Sequence, residues 1–235
     1  MKRTLLATVS AVLVLLVSPA FGQNSSLYFN GTAQGSVYCG GPDACVQTGF
    51  FDGSIDGVNV GPGQPGGPGM ISDDYNDYLW KGEKWRANGI EVSTLNASNI
   101  GHDTLFGNSI GLGGYAKLAY LVNQMFTTSG LGNAQLSAYS QALWYISGGV
   151  TWNELNASAK ALVNAAAAYV NTNGTSLAKY ANLWLYVPNG PQEMWGDGPM
   201  TVPEGGEALM YLLIVGASCF GAIFLRRQGR FVHRT

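Results

Sequence analysis

Residues 115–125 read YAKLAYLVNQM, the first stretch of the chain in which apolar residues recur at steps of three and four. This spacing places Tyr115, Leu118 and Val122 on one face and predicts an amphipathic helix that begins at about Gly114. The sequence before this stretch favours strands and loops, whereas the sequence after it favours helices. This change in the spacing of the apolar residues, from strand-like to helix-like, predicts an α+β fold.

Two more helices are predicted after this one. The first covers Ala134–Ile146, and Gly148 ends it because glycine readily adopts the left-handed conformation at a helix C-terminus. Thr151 offers an N-cap for the second helix, and Glu154, three positions later, completes a capping box. That helix is rich in alanine, which favours close packing against a neighbour, and it ends at Asn173.

Strands are predicted on both sides of the helices. Residues 23–113 carry strand and turn signals, such as the β-branched residues beside turn formers in Ser54–Val60. Residues 61–69 are almost wholly glycine and proline and predict a solvent loop. Leu183–Val187 is predicted to be the last strand. We therefore expect one α+β domain over residues 23–198, strand-rich in its first half and with a layer of about three helices in its second.

The segment of residues 72–85, SDDYNDYLWKGEKW, concentrates carboxylates and large aromatic residues. Glycoside hydrolysis needs two carboxyl groups that face each other across a bond, and Asp73 with Asp77, or with Glu83, is a candidate pair. Adjacent residues of a strand point to opposite faces, so Asp73 and Asp74 do not form this pair easily. The alternative interpretation is structural, with aspartates that cap turns.

The aromatic residues have two interpretations as well. Trp80 and Trp85 are expected in the core. Tyr75, Tyr78 and Trp195 either join the core or, if exposed, stack on sugars. The candidate residues of a ligand site are Asp73, Asp74, Asp77 and Trp85.

The sequence indicates neither a metal site nor a cofactor. Asp52, Asp56 and Asp73 offer oxygen ligands of the kind that calcium accepts, but their spacing matches no complete calcium loop. His102 is the only histidine between residues 23 and 202, so Ser-His catalysis would depend on it alone. We therefore assign no catalytic residue.

The charge of the chain is unevenly placed. Residues 23–202 contain 6 basic and 12 acidic residues, a net charge of −6, whereas the whole chain carries only −2. Nucleic-acid binding depends on lysine and arginine that meet phosphate. The acidic body therefore argues against nucleic acid as a partner.

The N-terminus has the three parts of a secretory signal. Two basic residues precede the apolar run Leu5–Val17, and the small residues Ala20 and Gly22 stand at the −3 and −1 positions of a cleavage site. Residues 1–22 are therefore predicted to be a signal peptide that signal peptidase removes. A signal anchor that stays uncut is the alternative.

The C-terminal residues 199–235 also have three parts. Val202-Pro203-Glu204 precedes an apolar run of 18 residues, Ala208–Leu225, which is just long enough to span a bilayer as a transmembrane helix. Arg226 and Arg227 follow at once. Because positive residues stay on the cytoplasmic side, the body before the helix is expected outside the membrane.

This ending resembles the PEP-CTERM sorting signal, in which a Val-Pro-Glu motif precedes an apolar helix and a cluster of arginines. The family most often has proline where this chain has Gly205. The resemblance implies that an exosortase, a membrane-embedded cysteine transpeptidase, recognises the tail and cuts near the motif. The alternative is an ordinary membrane anchor that is never cut.

A second resemblance concerns the body of the chain, which is similar to the body of many PEP-CTERM surface proteins and, through it, to the thioester domains of Gram-positive surface adhesins. The segments that carry it are Asp73-Asp74-Tyr75, Gly82, Trp85, Tyr115, Ala119-Tyr120-Leu121 and Ala142-Leu143-Trp144. In the adhesin domains a cysteine joins a glutamine side chain in a reactive bond.

Both reactive positions differ in this chain. Related bodies often have a cysteine before the Asp-Asp pair, where this chain has Ser72. The glutamine of the adhesins lies four residues before the tryptophan, where this chain has Ser140, with Gln141 one step later. A serine is a poorer acyl holder than a cysteine, so no thioester is expected at Ser72. A bond between Cys39 and Gln141 remains the alternative.

The cysteines fit an exported protein. Cys219 lies within the apolar run of the tail, which leaves Cys39 and Cys45 in the body. An oxidising compartment favours a disulfide between these two, closing a short loop.

We therefore expect an exported, non-enzymatic protein of the cell surface or extracellular matrix, held by its C-terminal helix in the membrane before sorting. The sorting family implies a structural or interactive role in a polysaccharide matrix or biofilm. The alternative is a covalent thioester-type adhesin or a carbohydrate-active hydrolase that uses Asp73 and Asp77.

Overall fold

The computed structural model describes residues 23–197, except 36, 40–45, 65, 78, 190 and 191. Strands occupy most of the first half of this range, and the helices lie between the seventh and the eighth strand. The predicted α+β fold is therefore confirmed.

Among the described residues, seven strands form one antiparallel sheet, and two short strands pair separately. The strands are β1 (Gln23–Gln34), β2 (Val37–Tyr38), β3 (Val46–Gln47), β4 (Phe50–Ile55), β5 (Val58–Val60), β6 (Ile71–Ser72), β7 (Lys84–Glu91), β8 (Leu183–Pro188) and β9 (Met194–Asp197). Their order across the large sheet is β5-β4-β1-β7-β8-β9-β6, and β2 pairs with β3. Leu183–Val187 is a strand as predicted, but β9 follows it and inserts between β8 and the edge strand β6.

The helices match their predicted places in part. They are α1 (Ile100–Asp103), α2 (Gly107–Thr127), α3 (Asn133–Ser147) and α4 (Ala157–Asn173). α3 confirms the helix predicted over Ala134–Ile146, and Gly148 ends it at a φ of 97°. α2 begins earlier than predicted, because Gly111, at a φ of 60°, lets the chain kink between a first helical turn and the predicted helix. α1 lies in a region that the sequence predicted to be strand and loop.

The predicted start of the third long helix was wrong. The capping box of Thr151 and Glu154 is present, but it closes a single 3-10 turn. α4 begins later, and its N-cap is Asn156, whose side-chain oxygen accepts a hydrogen bond from Ala159 N at 2.8 Å. A capping box satisfies the N–H groups of one turn and does not decide whether a long helix follows.

Removing the Asn156 cap should destabilise the protein. The side-chain oxygen satisfies a backbone N–H that has no partner within the helix, so we expect Asn156→Ala to lower the free energy of unfolding by about 1 kcal/mol. Asn156→Ser keeps an acceptor at this position and should lose much less. Chemical denaturation of both variants measures the difference, and equal losses would contradict the role of this side chain as a cap.

The sheet is buried on both faces. Leu185 packs in a core shared with the helices, whereas its neighbour Tyr186 belongs to a second cluster, because adjacent residues of a strand point to opposite faces. The glycine and proline loop of residues 61–69 was predicted to lie in solvent, yet both of its ends are buried. Gly69 approaches the sheet so closely that a Cβ there would lie 2.9 Å from Phe51 O.

In the part of the chain that the structure describes, no helix is long and apolar enough to cross a membrane. The apolar run Ala208–Leu225 lies outside these residues.

Candidate functional site

Asp73 and Glu193 form a buried acid pair beside the edge of the sheet. Both side chains are fully buried, because the pairing of β6 with β9 brings the residues next to these strands together. Asp73 Oδ2 accepts a hydrogen bond from Trp195 Nε1 at 2.9 Å. Glu193 Oε1 accepts one from the Tyr115 hydroxyl at 2.7 Å, and Glu193 Oε2 accepts one from Leu105 N at 2.8 Å.

Above about pH 7, the geometry assigns one shared proton to this pair. Burial raises the pKa of Glu193 to about 7 and that of Asp73 well above its usual range, and the charge of Glu193 raises the pKa of Asp73 further. The two side chains are hydrogen-bonded to each other, and Asp73 Oδ1 meets no other donor. Both Glu193 oxygens already accept hydrogen bonds, so Asp73 is the group that carries the proton and donates it to Glu193.

Serine hydroxyls fix the backbone that carries the aspartates. Ser147, at the end of α3, donates a hydrogen bond to Asp73 O. Ser72 Oγ accepts a hydrogen bond from Asp74 N and donates one to Asp74 O, both at 3.1 Å. The Ser147 contact attaches the segment after β6 to the helical layer, and the Ser72 contacts hold the segment's own turn.

Asp74 lines a surface cleft together with Asp77. Asp74 is only 5% exposed, and its Oδ1 accepts a hydrogen bond from Asn76 N at 3.0 Å. Burial raises the pKa of Asp74 to about 6, and the charge of Asp77 adds to this rise while the Asn76 hydrogen bond opposes it. The two carboxyl groups contact each other through a side-chain hydrogen bond. Asp74 therefore holds a proton in weak acid and is ionised at pH 8.

The cleft has a volume of about 190 Å³. Clefts for drug-sized ligands hold roughly 300 Å³ or more, so this one has room for a single small ring. Aromatic rings and polar groups share its walls. The aromatic residues are Phe29, Phe51, Tyr75 and Trp144, and the polar residues include Ser72, Asp74, Asp77 and Gln192.

Two residues of the cleft wall have a buried polar atom without a partner among the described residues. Trp144 is 3% exposed, and its Nε1 donates no hydrogen bond there. Gln192 is 6% exposed; its Nε2 donates to Asp74 O at 3.3 Å and to Asp77 O, but its Oε1 accepts nothing. An unpaired buried polar atom costs about 1–3 kcal/mol, so a water or a ligand group that pairs with either atom would be stabilising.

The structure divides the aspartates predicted from the sequence between two environments. Asp73 pairs with Glu193, not with Asp77, whose carboxyl group contacts Asp74 instead. Glu193 was not a candidate from the sequence, because a single acidic residue before an apolar strand is equally typical of a surface position. Glu83, the other suggested partner of Asp73, accepts a hydrogen bond from Trp80 N in a turn.

The aromatic predictions had different outcomes. Trp85 lies in the core as predicted, at 7% exposure, and forms part of the cluster on the face of the sheet away from the helices. The core prediction for Trp80 was wrong: it is 75% exposed, because a tight turn closed by Glu83 turns it away from the sheet. Trp195 is fully buried, Tyr75 is half-buried in the cleft wall, and Tyr78 lies outside the described residues.

The side chains compared with the thioester domains are engaged in other contacts. Ser140 Oγ accepts a hydrogen bond from Gly49 N at 2.9 Å. Gln141 is buried; its Nε2 donates to Ser137 Oγ at 3.2 Å, and its Oε1 accepts from Asn156 N at 3.1 Å. Cys39 is disulfide-bonded.

The signal peptide, Cys45 and the sorting residues Val202, Pro203, Glu204, Arg226 and Arg227 all lie outside the described residues. Within the described ranges, no group of three or more histidine, cysteine, aspartate or glutamate side chains is placed to hold a metal ion. Asp56, one of the suggested calcium ligands, instead accepts a hydrogen bond from Ser26 N at 2.7 Å.

No family model, no curated protein and no solved structure matches this chain.

Proposed function

We propose that the chain is an exported, non-enzymatic protein that an exosortase-type system delivers to the cell surface or extracellular matrix. The observation that carries this proposal is the order of motifs at the C-terminus: Val202-Pro203-Glu204, then the apolar run Ala208–Leu225, then Arg226-Arg227. The signal peptide of residues 1–22 supports export. Signal peptidase, the sorting transpeptidase and the membrane are the partners that this route requires.

The intact mass of the protein recovered from outside its host tests the sorting step. We expect the wild type to lack both ends, and Glu204→Ala to keep the apolar run and remain in the membrane, because only the cut near the motif releases it. Glu207→Ala, which changes a nearby acidic residue outside the motif, is the control and should be sorted normally. A wild-type protein that keeps its tail would overturn the proposal in favour of a plain membrane anchor.

We propose further that the domain works by binding within a polysaccharide matrix. Its cleft supports this role, since aromatic rings beside a few polar groups are typical of small-molecule sites. The direct contact between the carboxyl groups of Asp74 and Asp77 argues against hydrolysis, because the two carboxyl groups of a glycosidase lie about 5 Å or more apart. The disulfide bond of Cys39 is consistent with an oxidising environment.

A carbohydrate-active hydrolase is the second candidate. It is favoured by the raised pKa of Asp74, since a carboxyl group that keeps its proton closer to neutral pH can act as a general acid. The Asp77→Asn variant distinguishes the two. A hydrolase would keep sugar binding and lose turnover in this variant, whereas a binding protein shows no turnover with either form.

A further inference from the structure

We propose that the cleft between Tyr75, Trp144, Gln192 and the Asp74–Asp77 pair binds one pyranose ring of a neutral sugar. This inference rests on the proposed function, because it names the ligand of the interactive role. The cleft volume of about 190 Å³ sets the scale, since it admits one ring rather than an extended chain. The bound ring is therefore a terminal residue of an oligosaccharide or a free sugar.

The unpaired polar atoms of the wall select a ligand that both donates and accepts hydrogen bonds. Trp144 Nε1 offers a donor and Gln192 Oε1 offers an acceptor, and both side chains are more than nine-tenths buried. A hydroxyl group has one donor and two acceptor positions, so neighbouring hydroxyls of a sugar satisfy both atoms at once. A metal cation would leave the indole N–H unpaired, and an anion would leave the amide oxygen unpaired.

The acidic pair strengthens this choice. Asp77 is exposed at the cleft and Asp74 lies behind it, and the two place negative charge beside Gln192. A hydrogen bond from a hydroxyl group to a carboxylate is about twice as strong as one between two neutral groups. Carboxylates also repel anionic ligands. Among the described residues, no group of three or more acidic, histidine or cysteine side chains is placed to hold a metal ion here.

Aromatic rings supply the apolar side of the site. The ring of Tyr75 lies 5.2 Å from that of Trp144, centroid to centroid, at an angle of 59°. The two rings form a corner in which the C–H face of a pyranose can pack. Gly149 stands directly behind this corner, because a Cβ added there would lie 2.6 Å from Tyr75 Cβ.

Titration of the full chain in detergent with single sugars tests the proposal. The probes are methyl β-D-glucopyranoside, methyl α-D-mannopyranoside and methyl β-D-galactopyranoside. We expect at least one to bind with a dissociation constant on the order of 1 mM, an affinity suited to a few hydrogen bonds. Binding should shift the indole N–H resonance of Trp144 in the NMR spectrum, which the Trp144→Phe variant identifies.

Two variants and two matched controls locate the site. Asp77→Asn removes an exposed charge of the cleft, and Gly149→Ala pushes Tyr75 out of place. We expect each to weaken binding at least tenfold. Asp103→Asn and Gly113→Ala make the same chemical changes away from the cleft and should bind as the wild type does. If Gly149→Ala does not fold, the affinity of Asp77→Asn for the sugar still tests the proposal.

Three outcomes would overturn the proposal: no pyranoside shifts the Trp144 resonance, Asp77→Asn binds as tightly as the wild type, or calcium chloride alone produces the same shift. None of these outcomes bears on sorting, which the intact mass measures separately. Normal sorting without sugar binding would therefore overturn this inference and still support the proposed export route.

Discussion

The Asp73→Asn variant should be more stable than the wild-type protein at pH 8 and should lose the part of the wild type's dependence of stability on pH that Asp73 contributes. The asparagine amide has a shape and hydrogen-bonding groups similar to those of the protonated Asp73 carboxyl group, but it cannot ionise. Its oxygen can accept the hydrogen bond from Trp195 Nε1, and its nitrogen can donate to Glu193. In the wild type, by contrast, the pair must keep a proton to avoid two buried negative charges.

The direction of the effect follows from the raised pKa values. Because burial raises the pKa of Asp73 and Glu193 in the folded protein, the folded state binds more protons than the unfolded chain in weak acid and at neutral pH. The stabilisation that Glu193 contributes is fully present below about pH 4 and is lost as the pH rises through about 7. For Glu193, a pKa raised from 4.5 to about 7 corresponds to a loss on the order of 3 kcal/mol.

Glu193→Gln is the matched variant, because it also removes one charge. It is expected to be less stable than Asp73→Asn by about 2 kcal/mol at pH 8, because the ionised Glu193 that Asp73→Asn keeps accepts from both Tyr115 and Leu105, whereas a glutamine has one acceptor oxygen. Urea denaturation of both variants between pH 4 and pH 8 measures these effects. Equal destabilisation of Asp73→Asn and Glu193→Gln at pH 8 would show that the proton does not reside on Asp73.

Gly53→Ala should also have a large effect. Gly53 lies within β4, between β1 and β5, and a Cβ there would be 1.9 Å from Tyr28 O and 2.8 Å from Met70 Cε. The side chain of Met70 can move, but the backbone oxygen of Tyr28 can move only if β1 and β4 separate. We therefore expect the free energy of unfolding to fall by about 3 kcal/mol or more.

Gly113→Ala provides the control for this prediction. Gly113 lies in α2, and a Cβ there would have only Thr175 Cγ2 as a neighbour, at 3.8 Å. Alanine favours a helix over glycine by about 0.8–1.0 kcal/mol, so this variant should be as stable as the wild type or more stable. Thermal unfolding of the two alanine variants compares them directly. Similar melting temperatures would mean that the sheet around Gly53 accommodates a methyl group.

The sequence by itself determined the elements whose signals are local. The period of the apolar residues placed α3, and Gly148 placed its end, since both signals lie within or next to the helix. The run of apolar residues before Pro188 placed β8 for the same reason. The sequence also identified the capping box of Thr151 and Glu154, but the helix that follows begins only after Asn156. The hydrogen bonds of a cap reach one turn and carry no information beyond it.

Only the tertiary structure decided which acidic residues meet. Asp73 and Trp195 are 122 positions apart, and they meet because β9 inserts between β8 and β6. Strands with similar alternation can pair in several orders, and the order is selected by the burial of the whole sheet rather than by any one segment. The same order places Glu193 against Asp73 and leaves Asp74 and Asp77 at the cleft. The sequence located the acidic segment, whereas long-range packing placed Asp73 in a buried pair with Glu193 and left Asp74 and Asp77 at an accessible cleft.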